Sequence, residues 1–301
     1  MKSAGPRILV IGSSNTDLVL SCPRLPRPGE TLLGGEFRRF PGGKGANQAV
    51  AAARAGGRVV FIGARGEDDF GRAAAAGLKK EGIDLRHFGV KNKAPSGVAL
   101  ILLGGASREN IIGVARSVND ALTVADVRRA GPEFARAKIV VAQLETPLPV
   151  VHEAARLARR HRVPFLLNPA PARALPPSLL KLVDTLTPNE IEACSLTGEK
   201  DPRRAGTALL RAGCRQVVIT LGAKGALLVD ANGSYLFPAP KVRPVDTVGA
   251  GDCFTGWLAV GLAEGLPVAE AIPRALRAAS LSVTRPGAQT SMPRRREIVR
   301  P

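Results

Sequence analysis

The sequence predicts an α/β protein, with a three-layer, Rossmann-like, mostly parallel sheet carrying helices on both faces and a small β-sheet lid beside it. Three observations carry this prediction. Short β-branched or aliphatic runs alternate with alanine-rich helical stretches, the pattern of βαβ crossovers. The alternation breaks twice, where strand-like segments follow one another through turn residues with no helix between them. At 301 residues and 45% hydrophobic content, the chain can bury one large core.

The first strand is expected from Arg7 to Ile11, a continuous apolar run stopped by Gly12. Leu18 to Cys22 and Thr31 to Phe40 read as the first lid hairpin, with Pro23, Pro26, Pro28 and Gly29 stiffening its connection. Gly42-Gly43-Lys44-Gly45 is too glycine-rich to be helical, so the first helix is expected from Ala46 to Ala55. A strand from Val59 to Ile62 and a helix from Phe70 to Glu81 come next. Gly97 to Leu103 with Asn110 to Val114 forms the second lid hairpin, which gives a lid of about 14–41 and 93–118 inserted in a single domain spanning 1–301. Strands at Ile139 to Gln143, Pro164 to Leu167, Thr185 to Thr187 and Val217 to Thr220 are separated by helices at Pro149 to His161, Asn189 to Leu196 and Arg203 to Ala212. In the first of these helices Val151, Ala154, Ala155 and Ala158 share one face. Ala226 to Val229 is a further strand, and Asn232-Gly233 before Tyr235-Leu236-Phe237 reads as a hairpin turn rather than a glycosylation acceptor. Helices from Cys253 to Glu264 and Val268 to Val283 complete the pattern.

Composition excludes several classes. The apolar run from Ile8 to Ile11 is cut short by Gly12 and polar residues, too short for a signal-peptide core. No stretch reaches the roughly 20 apolar residues of a membrane span. Cys22, Cys194, Cys214 and Cys253 form no CxxC pair, which disfavours a zinc site or disulfide framework and fits a reducing cytoplasm. The net charge of +18 invites a nucleic-acid reading, but the arginines are spread over helices and the chain has one Tyr and one Trp, without the basic-aromatic interleaving of single-strand binders. No specific nucleic-acid partner is therefore expected, and Arg294-Arg295-Arg296 is read as a solvated tail. Asp69-Phe70-Gly71 spells a protein-kinase DFG, but no HRD or VAIK string accompanies it.

The most informative stretch is Asp246-Thr247-Val248-Gly249-Ala250-Gly251-Asp252-Cys253-Phe254. Glycines before a long apolar helix free the backbone for a tight turn. The helix N-terminus then offers N–H groups and a positive dipole end to a phosphoryl group, with Asp252 beside it as a proton acceptor. On residues alone, a plain strand-to-helix turn fits as well. Asn15 and Asp17 follow the first strand, at the carboxyl edge where open α/β sheets bind ligands; they make either a hydroxyl-binding edge or a polar turn. Gly42-Gly43-Lys44-Gly45 brings Lys44 and Asn47 around one polar pocket or merely eases a helix start, and it is not a Walker A loop. Glu145 at a strand end needs polar partners. Asn189 and Glu192 share the first turn of a helix, and Thr220-Leu221-Gly222-Ala223-Lys224-Gly225 turns through two glycines.

Read in order with Gly12-Ser13-Ser14-Asn15-Thr16-Asp17, Gln143-Leu144-Glu145, Asn168-Pro169-Ala170-Pro171-Ala172-Arg173 and Thr187-Pro188-Asn189-Glu190, these motifs resemble the ribokinase family of carbohydrate kinases from about Ile8 to Met292. The resemblance implies transfer of the ATP γ-phosphoryl group to the 5-hydroxyl of D-ribose. Asp252 would be the general base, and the amides of Gly249, Ala250 and Gly251 would hold the phosphoryl oxygens. It implies sugar contacts at Asn15, Asp17, Gly42, Gly43, Lys44, Asn47, Glu145 and Asp252, and nucleotide contacts at Asn189, Thr220, Gly222, Gly225 and Gly251. Glu192 would act on Mg2+ through water. A monovalent cation, K+, would be enclosed by Asp246, Val248, Ser282, Arg285, Gly287 and Ser291. The lid would cover the sugar, and paired lids would make a homodimer.

Two departures from the family pattern stand out. Arg116-Ser117-Val118-Asn119 replaces a frequent Gly-Ala-Asn, and Leu276 stands where a polar or aromatic-nitrogen residue commonly lines the adenine pocket. The rival readings are a kinase of the same fold for deoxyribose, a ketohexose or a nucleoside, and a non-catalytic nucleotide- or nucleic-acid-binding protein.

Overall fold

The computed structural model of the chain describes residues 5–105 and 109–299. The ends of the expected 1–301 span, and residues 106–108 within the lid, lie outside these.

In chain order the strands are β1 (Arg7–Ile11), β2 (Asn15–Cys22), β3 (Glu36–Gly42), β4 (Arg58–Arg65), β5 (Asp84–Val90), β6 (Gly97–Gly104), β7 (Glu109–Ala115), β8 (Ile139–Ala142), β9 (Phe165–Leu167), β10 (Thr185–Leu186), β11 (Gln216–Thr220), β12 (Ala226–Asp230) and β13 (Gly233–Phe237). The helices are α1 (Lys44–Arg54), α2 (Asp69–Lys80), α3 (Val124–Arg129), α4 (Gly131–Phe134), α5 (Leu148–Arg160), α6 (Pro177–Leu180), α7 (Glu190–Thr197), α8 (Pro202–Arg211), α9 (Ala250–Ala263), α10 (Val268–Ser282) and α11 (Arg295–Ile298).

The main sheet runs β13-β12-β11-β10-β9-β8-β1-β4-β5. It is parallel from β5 to β11, with β12 and β13 added antiparallel at one edge. Alternation along the strands sends side chains to two cores. Leu9, Ile11, Val60, Ile62 and Val140 pack with α5 and α8 through Val151, Ala154, Ala158 and Leu209. Ile8, Val10, Val59, Phe61 and Val141 pack with α1, α9 and α10 through Val50, Leu258 and Ile272. These are the two interfaces of a three-layer sandwich, and each fully buried aliphatic or aromatic side chain contributes about 1.5–3 kcal/mol. The second sheet, β3-β2-β6-β7, rises from the carboxyl end of β1. Its two antiparallel hairpins are joined through the parallel pair β2 and β6.

Three expectations are corrected. Lys44 and Gly45 belong to α1 despite the surrounding glycines. A Cβ on Gly45 would stand 2.5 Å from the Ser13 nitrogen and 2.6 Å from Gly12, so this glycine lets the helix approach the end of β1. Residues 31–35 are not strand, and β3 begins at Glu36. Arg294-Arg295-Arg296 is not a solvated tail: Arg295 Nη1 donates to the Ala55 carbonyl at 2.9 Å and pairs with Glu264, while Arg294 reaches Glu81 at 3.3 Å. Among the unforeseen elements, β5 escapes the sequence pattern because it is an edge strand with charged and exposed positions.

Candidate active site

The parallel strands deliver the site residues at their carboxyl ends: Ser13 to Asn15 after β1, Gln143 and Glu145 after β8, Asn168 after β9, Thr187 and Asn189 after β10, and Thr220 at the end of β11. Opposite them stands the N-terminus of α9. Its cap, Gly249, has φ 75 and no side-chain hydrogen bond. A Cβ there would lie 2.9 Å from the Ala288 Cβ, whereas one on Gly251 would meet nothing within 4 Å. The turn therefore needs glycine at 249 for backbone shape and leaves open space beside 251. Unsatisfied amides and the positive end of the dipole face that space.

Asp252 lies in the first turn of α9 and is 6% exposed. Its Oδ2 accepts from Asn47 Nδ2 at 2.9 Å and its Oδ1 from Gln48 Nε2 at 3.0 Å. Burial pushes its carboxyl up from the ordinary range; Lys44 and the two amides oppose this, and Glu145 adds to it. Burial alone would lower the Lys44 ammonium, but Asp252, Glu145 and Glu192 together hold it above its ordinary value. Glu145 accepts from the Lys44 backbone N–H at 2.9 Å and from the Ser13 hydroxyl. Asp17 is pushed up to about 6, by burial first and then by Glu145 and Asp252. Three carboxylates thus crowd one lysine, which is the arrangement of a site waiting for hydroxyl donors.

Asn15 and Asp17 sit at the start of the lid strand β2. Asn15 Oδ1 accepts from Asn119 Nδ2 at 2.8 Å, and the Ser14 N–H donates to Asn119 Oδ1 at 3.0 Å. Asn119 therefore keeps its place even though the residues before it depart from the family pattern. Ser117 stands at the glycine of that pattern and retains a left-handed backbone, φ 47. Gly42 abuts Asp17, where a Cβ would overlap the carboxylate. Gly43 has φ 86, and a Cβ there would lie 2.7 Å from the Asn15 nitrogen.

A cavity of about 170 Å³ is lined by Lys44, Asn168, Thr187, Asn189, Glu192, Thr220, Thr247, the turn Gly249, Ala250, Gly251 and Asp252, and Thr255. Most of the residues expected around the phosphates therefore share one cavity. Gly222 and Gly225 do not line it: Gly222 is exposed, and Gly225, at φ 110, is buried where a Cβ would overlap the Phe237 carbonyl. Leu276 is buried in the core with α9 and α10. Asn189 and Glu192 cap α7 reciprocally, with Asn189 Oδ1 accepting the Glu192 N–H at 2.7 Å and Glu192 Oε2 the Asn189 N–H at 2.8 Å. Burial raises the Glu192 carboxyl against these contacts and Lys44. Its charge faces the cavity, as a group acting on a hydrated Mg2+ requires.

The segment 282–291 closes onto Asp246. The Asp246 carboxylate accepts from the Val248 and Gly287 N–H groups, each at 2.9 Å. Arg285 pairs with Glu297 at 2.6 Å, its N–H donates to the Ser282 carbonyl at 3.1 Å, and the Ser291 hydroxyl donates to Ala288 O at 2.8 Å. Carboxylate, carbonyl and hydroxyl oxygens are the atom types this segment offers, and they suit a hard monovalent cation in kind.

Sequence reasoning gave no role to Gln48, Gln143, Gln289 or Ser13. Their one signal was position: each lies within two residues of a named candidate, Asn47, Glu145, Ser291 and Asn15 respectively.

A buried carboxylate beside a helix N-terminus, with a polar cavity between the sheet edge and that helix, defines a phosphoryl-transfer site. Residues 6–295 match the pfkB family of carbohydrate kinases, and the chain belongs to that family. Within it, the chain is 41% identical over 297 residues to the ribokinase of Haemophilus influenzae, covering 97% of each. It is 36% identical over 292 residues to the deoxyribokinase of Salmonella typhi, covering 95% of each. The solved structure of Arabidopsis thaliana ribokinase complexed with ribose and ATP has a TM-score of 0.90 at 32% identity, covering 98% of this chain and 97% of that one.

Proposed function

We propose that this protein transfers the γ-phosphoryl group of ATP to the 5-hydroxyl of D-ribose, giving D-ribose 5-phosphate and ADP. The observation that carries the reading is Asp252, buried in the opening turn of α9 beside the amide-lined space at Gly251 and close enough to the lid residue Asp17 to raise its carboxyl. Asn15, Asp17, Gly42, Gly43, Lys44, Asn47 and Glu145 hold the sugar hydroxyls. Asp252 takes the 5-hydroxyl proton as the oxygen attacks, and a carboxyl pushed up by burial is a better acceptor than an exposed aspartate. The N–H groups of Gly249, Ala250 and Gly251 and the α9 dipole stabilise charge on the moving phosphoryl group. Asn189 and Thr220 border the nucleotide, with the turn through Gly222 and Gly225 shaping the chain after Thr220.

Glu192 fits a role on water-bound Mg2+, which neutralises phosphate charge when bound. The oxygen donors of Asp246, Val248, Ser282, Arg285, Gly287 and Ser291 fit K+. The lid sheet leaves Phe37 62% and Ile112 55% exposed, with Leu100, Ile111 and Val114 also uncovered. Apolar area on that scale supports pairing of two lids in a homodimer. Four free cysteines and the use of ATP fit the cytoplasm, and no described helix is long and apolar enough to cross a membrane.

ADP release from MgATP in K+ buffer, measured with D-ribose, 2-deoxyribose, fructose, adenosine or no sugar, tests the reading. Strong stimulation by ribose is expected. Greater stimulation by another acceptor would move the substrate within the family. No stimulation by any of them would leave a nucleotide-binding protein without this activity, and would overturn the reading.

A further inference from the structure

We propose that Asp252 is held in its working orientation by two buried amide relays, Gln143 to Gln48 to Asp252 and Gln289 to Asn47 to Asp252, so that Gln48, Gln143 and Gln289 are positioning residues for the base. This rests on the reading of Asp252 as the proton acceptor.

The relays have a fixed direction. An ionised carboxylate only accepts hydrogen bonds, so the groups facing Asp252 must be Gln48 Nε2, at 3.0 Å, and Asn47 Nδ2, at 2.9 Å. The other donor position of Gln48 Nε2 is taken by Asn168 Oδ1 at 3.1 Å. Gln48 Oε1 is thereby turned away and accepts from Gln143 Nε2 at 2.6 Å. The chain of consequence ends at Gln143 Oε1, which is buried with no hydrogen-bond partner among the described residues. An unmade bond at that atom is the cost of holding the amide this way round, because flipping Gln143 would set two oxygens against each other at Gln48. Gly12 belongs to the same arrangement, since a Cβ there would overlap Gln143 Oε1. On the other side, Asn47 Oδ1 accepts from Gln289 Nε2 at 3.1 Å. Gln48 is 0% exposed and Gln143 1%, so neither reaches solvent for a substitute partner.

Each Asp252 oxygen therefore receives one N–H from consecutive residues of α1, and each of those amides is locked from behind by a glutamine of another element. Rotation of the carboxylate breaks both bonds at once. Lone pairs on the cavity side stay available for an arriving hydroxyl. Other groups around Asp252 also set its titration: Lys44 on α1, Glu145 after β8, Asp17 on β2, Glu192 on α7 and the neighbouring Cys253 thiol.

The test uses the full-length protein and the variants Gln48→Met, Gln143→Met and Gln289→Met. Two readouts are taken: pH profiles of kcat and KM for ribose, and carboxyl NMR titration of 13C-labelled aspartates, which needs no turnover. Loss of an N–H donor disfavours the charged carboxylate. In Gln48→Met the acid limb of kcat and the Asp252 titration should both move up by about half to one pH unit, with kcat roughly tenfold lower and KM for ribose within about twofold. Gln143→Met and Gln289→Met, which touch neither Asp252 nor sugar, should move the limb the same way by less. A folded Gln48→Met or Gln143→Met with an unmoved Asp252 titration overturns the relay; if the first does not fold, the second decides. A wild type inactive on every sugar, with the titration still moved, would fail the functional reading and leave the relay standing.

Discussion

Replacing Asp17 by Asn should stabilise the sugar-free protein while damaging it as an enzyme. Asp17 has its carboxyl pushed from 3.8 to about 6 by burial and by Glu145 and Asp252. Between those two pH values the folded state binds more protons than the unfolded state, so stability from this group falls as pH rises from about 4 to 6 and stays lowered above. The displacement corresponds to about 3 kcal/mol at 1.36 kcal/mol per pH unit; residual solvation of the half-buried side chain reduces the expectation to about 2 kcal/mol. Asp17→Asn removes the ionisation and keeps the shape. Urea unfolding of wild type and variant, without sugar, should give a stability gap near zero at pH 4 that opens to about 2 kcal/mol in favour of the variant by pH 7.5. In thermal unfolding this is about 4 °C. At the same time KM for ribose should rise by about 30-fold or more, through loss of charge-assisted bonds. A gap that is flat across pH, or a variant less stable at pH 7.5, would refute the idea that carboxylate crowding is stored for the sugar.

Four other outcomes are expected. Asp252→Asn should lower kcat by about 10²- to 10⁴-fold with ribose affinity by calorimetry within a few-fold of wild type; near-normal turnover would remove the base assignment. Gly42→Ala, whose new methyl would overlap the Asp17 carboxylate, should raise KM for ribose by about tenfold or more at nearly unchanged melting temperature, since the backbone of Gly42 is not left-handed. Ser117→Gly should stabilise the protein by about 0.5–1 kcal/mol, because the serine holds φ 47 at a strain of about 1–2 kcal/mol, partly offset by unfolded-chain entropy; denaturant midpoints check this. Ile112→Lys, on the exposed face of the lid, should convert the proposed dimer to a monomer in sedimentation velocity, and an unchanged sedimentation coefficient would exclude that face from the interface.

The main sheet was legible because buried parallel strands read as short apolar runs, and each expected core strand lies within a residue or two of an observed one except where β4 extends to Arg65. What was not legible depends on contacts between distant segments. Gly45 was read as a helix breaker, yet its missing side chain is what lets α1 touch Gly12 and Ser13. The C-terminal arginines looked like a solvated tail because nothing in a charge run shows that Ala55 and Glu264 lie within reach of Arg295. In the same way Arg54, unremarkable in sequence, ties α1 to Glu81 at 2.7 Å and to the carbonyls of Gln289 and Met292 at 2.6 and 2.8 Å. Asp252 and Glu145 could be picked out because a carboxylate at a strand or helix end needs a reason. Gln48 and Gln143 could not, because an uncharged amide advertises nothing until its partners are known.

The distribution of charge explains how the site can serve a neutral sugar and an anionic nucleotide side by side. The chain is +18 overall, yet Glu145, Asp252 and Glu192 gather around Lys44, and Asp17 lies within reach of the first two. On the proposed reading Asp17, Glu145 and Asp252 face the sugar, whose hydroxyls donate to them and relieve their mutual repulsion. The phosphates instead meet uncharged donors, the amides at the start of α9, in a cavity whose lining carboxylates are Asp252 and Glu192. Lys44 stands between the two halves, with its backbone N–H on Glu145 and its ammonium facing Asp252 and Glu192. Sugar bound first would quench part of the negative field before the nucleotide arrives, so ribose should tighten MgATP binding, and by linkage MgATP should tighten ribose by the same factor. Calorimetric titration of a non-hydrolysable ATP analogue with and without ribose measures that factor. Equal affinities in the two titrations would mean that the carboxylate cluster and the α9 turn act independently.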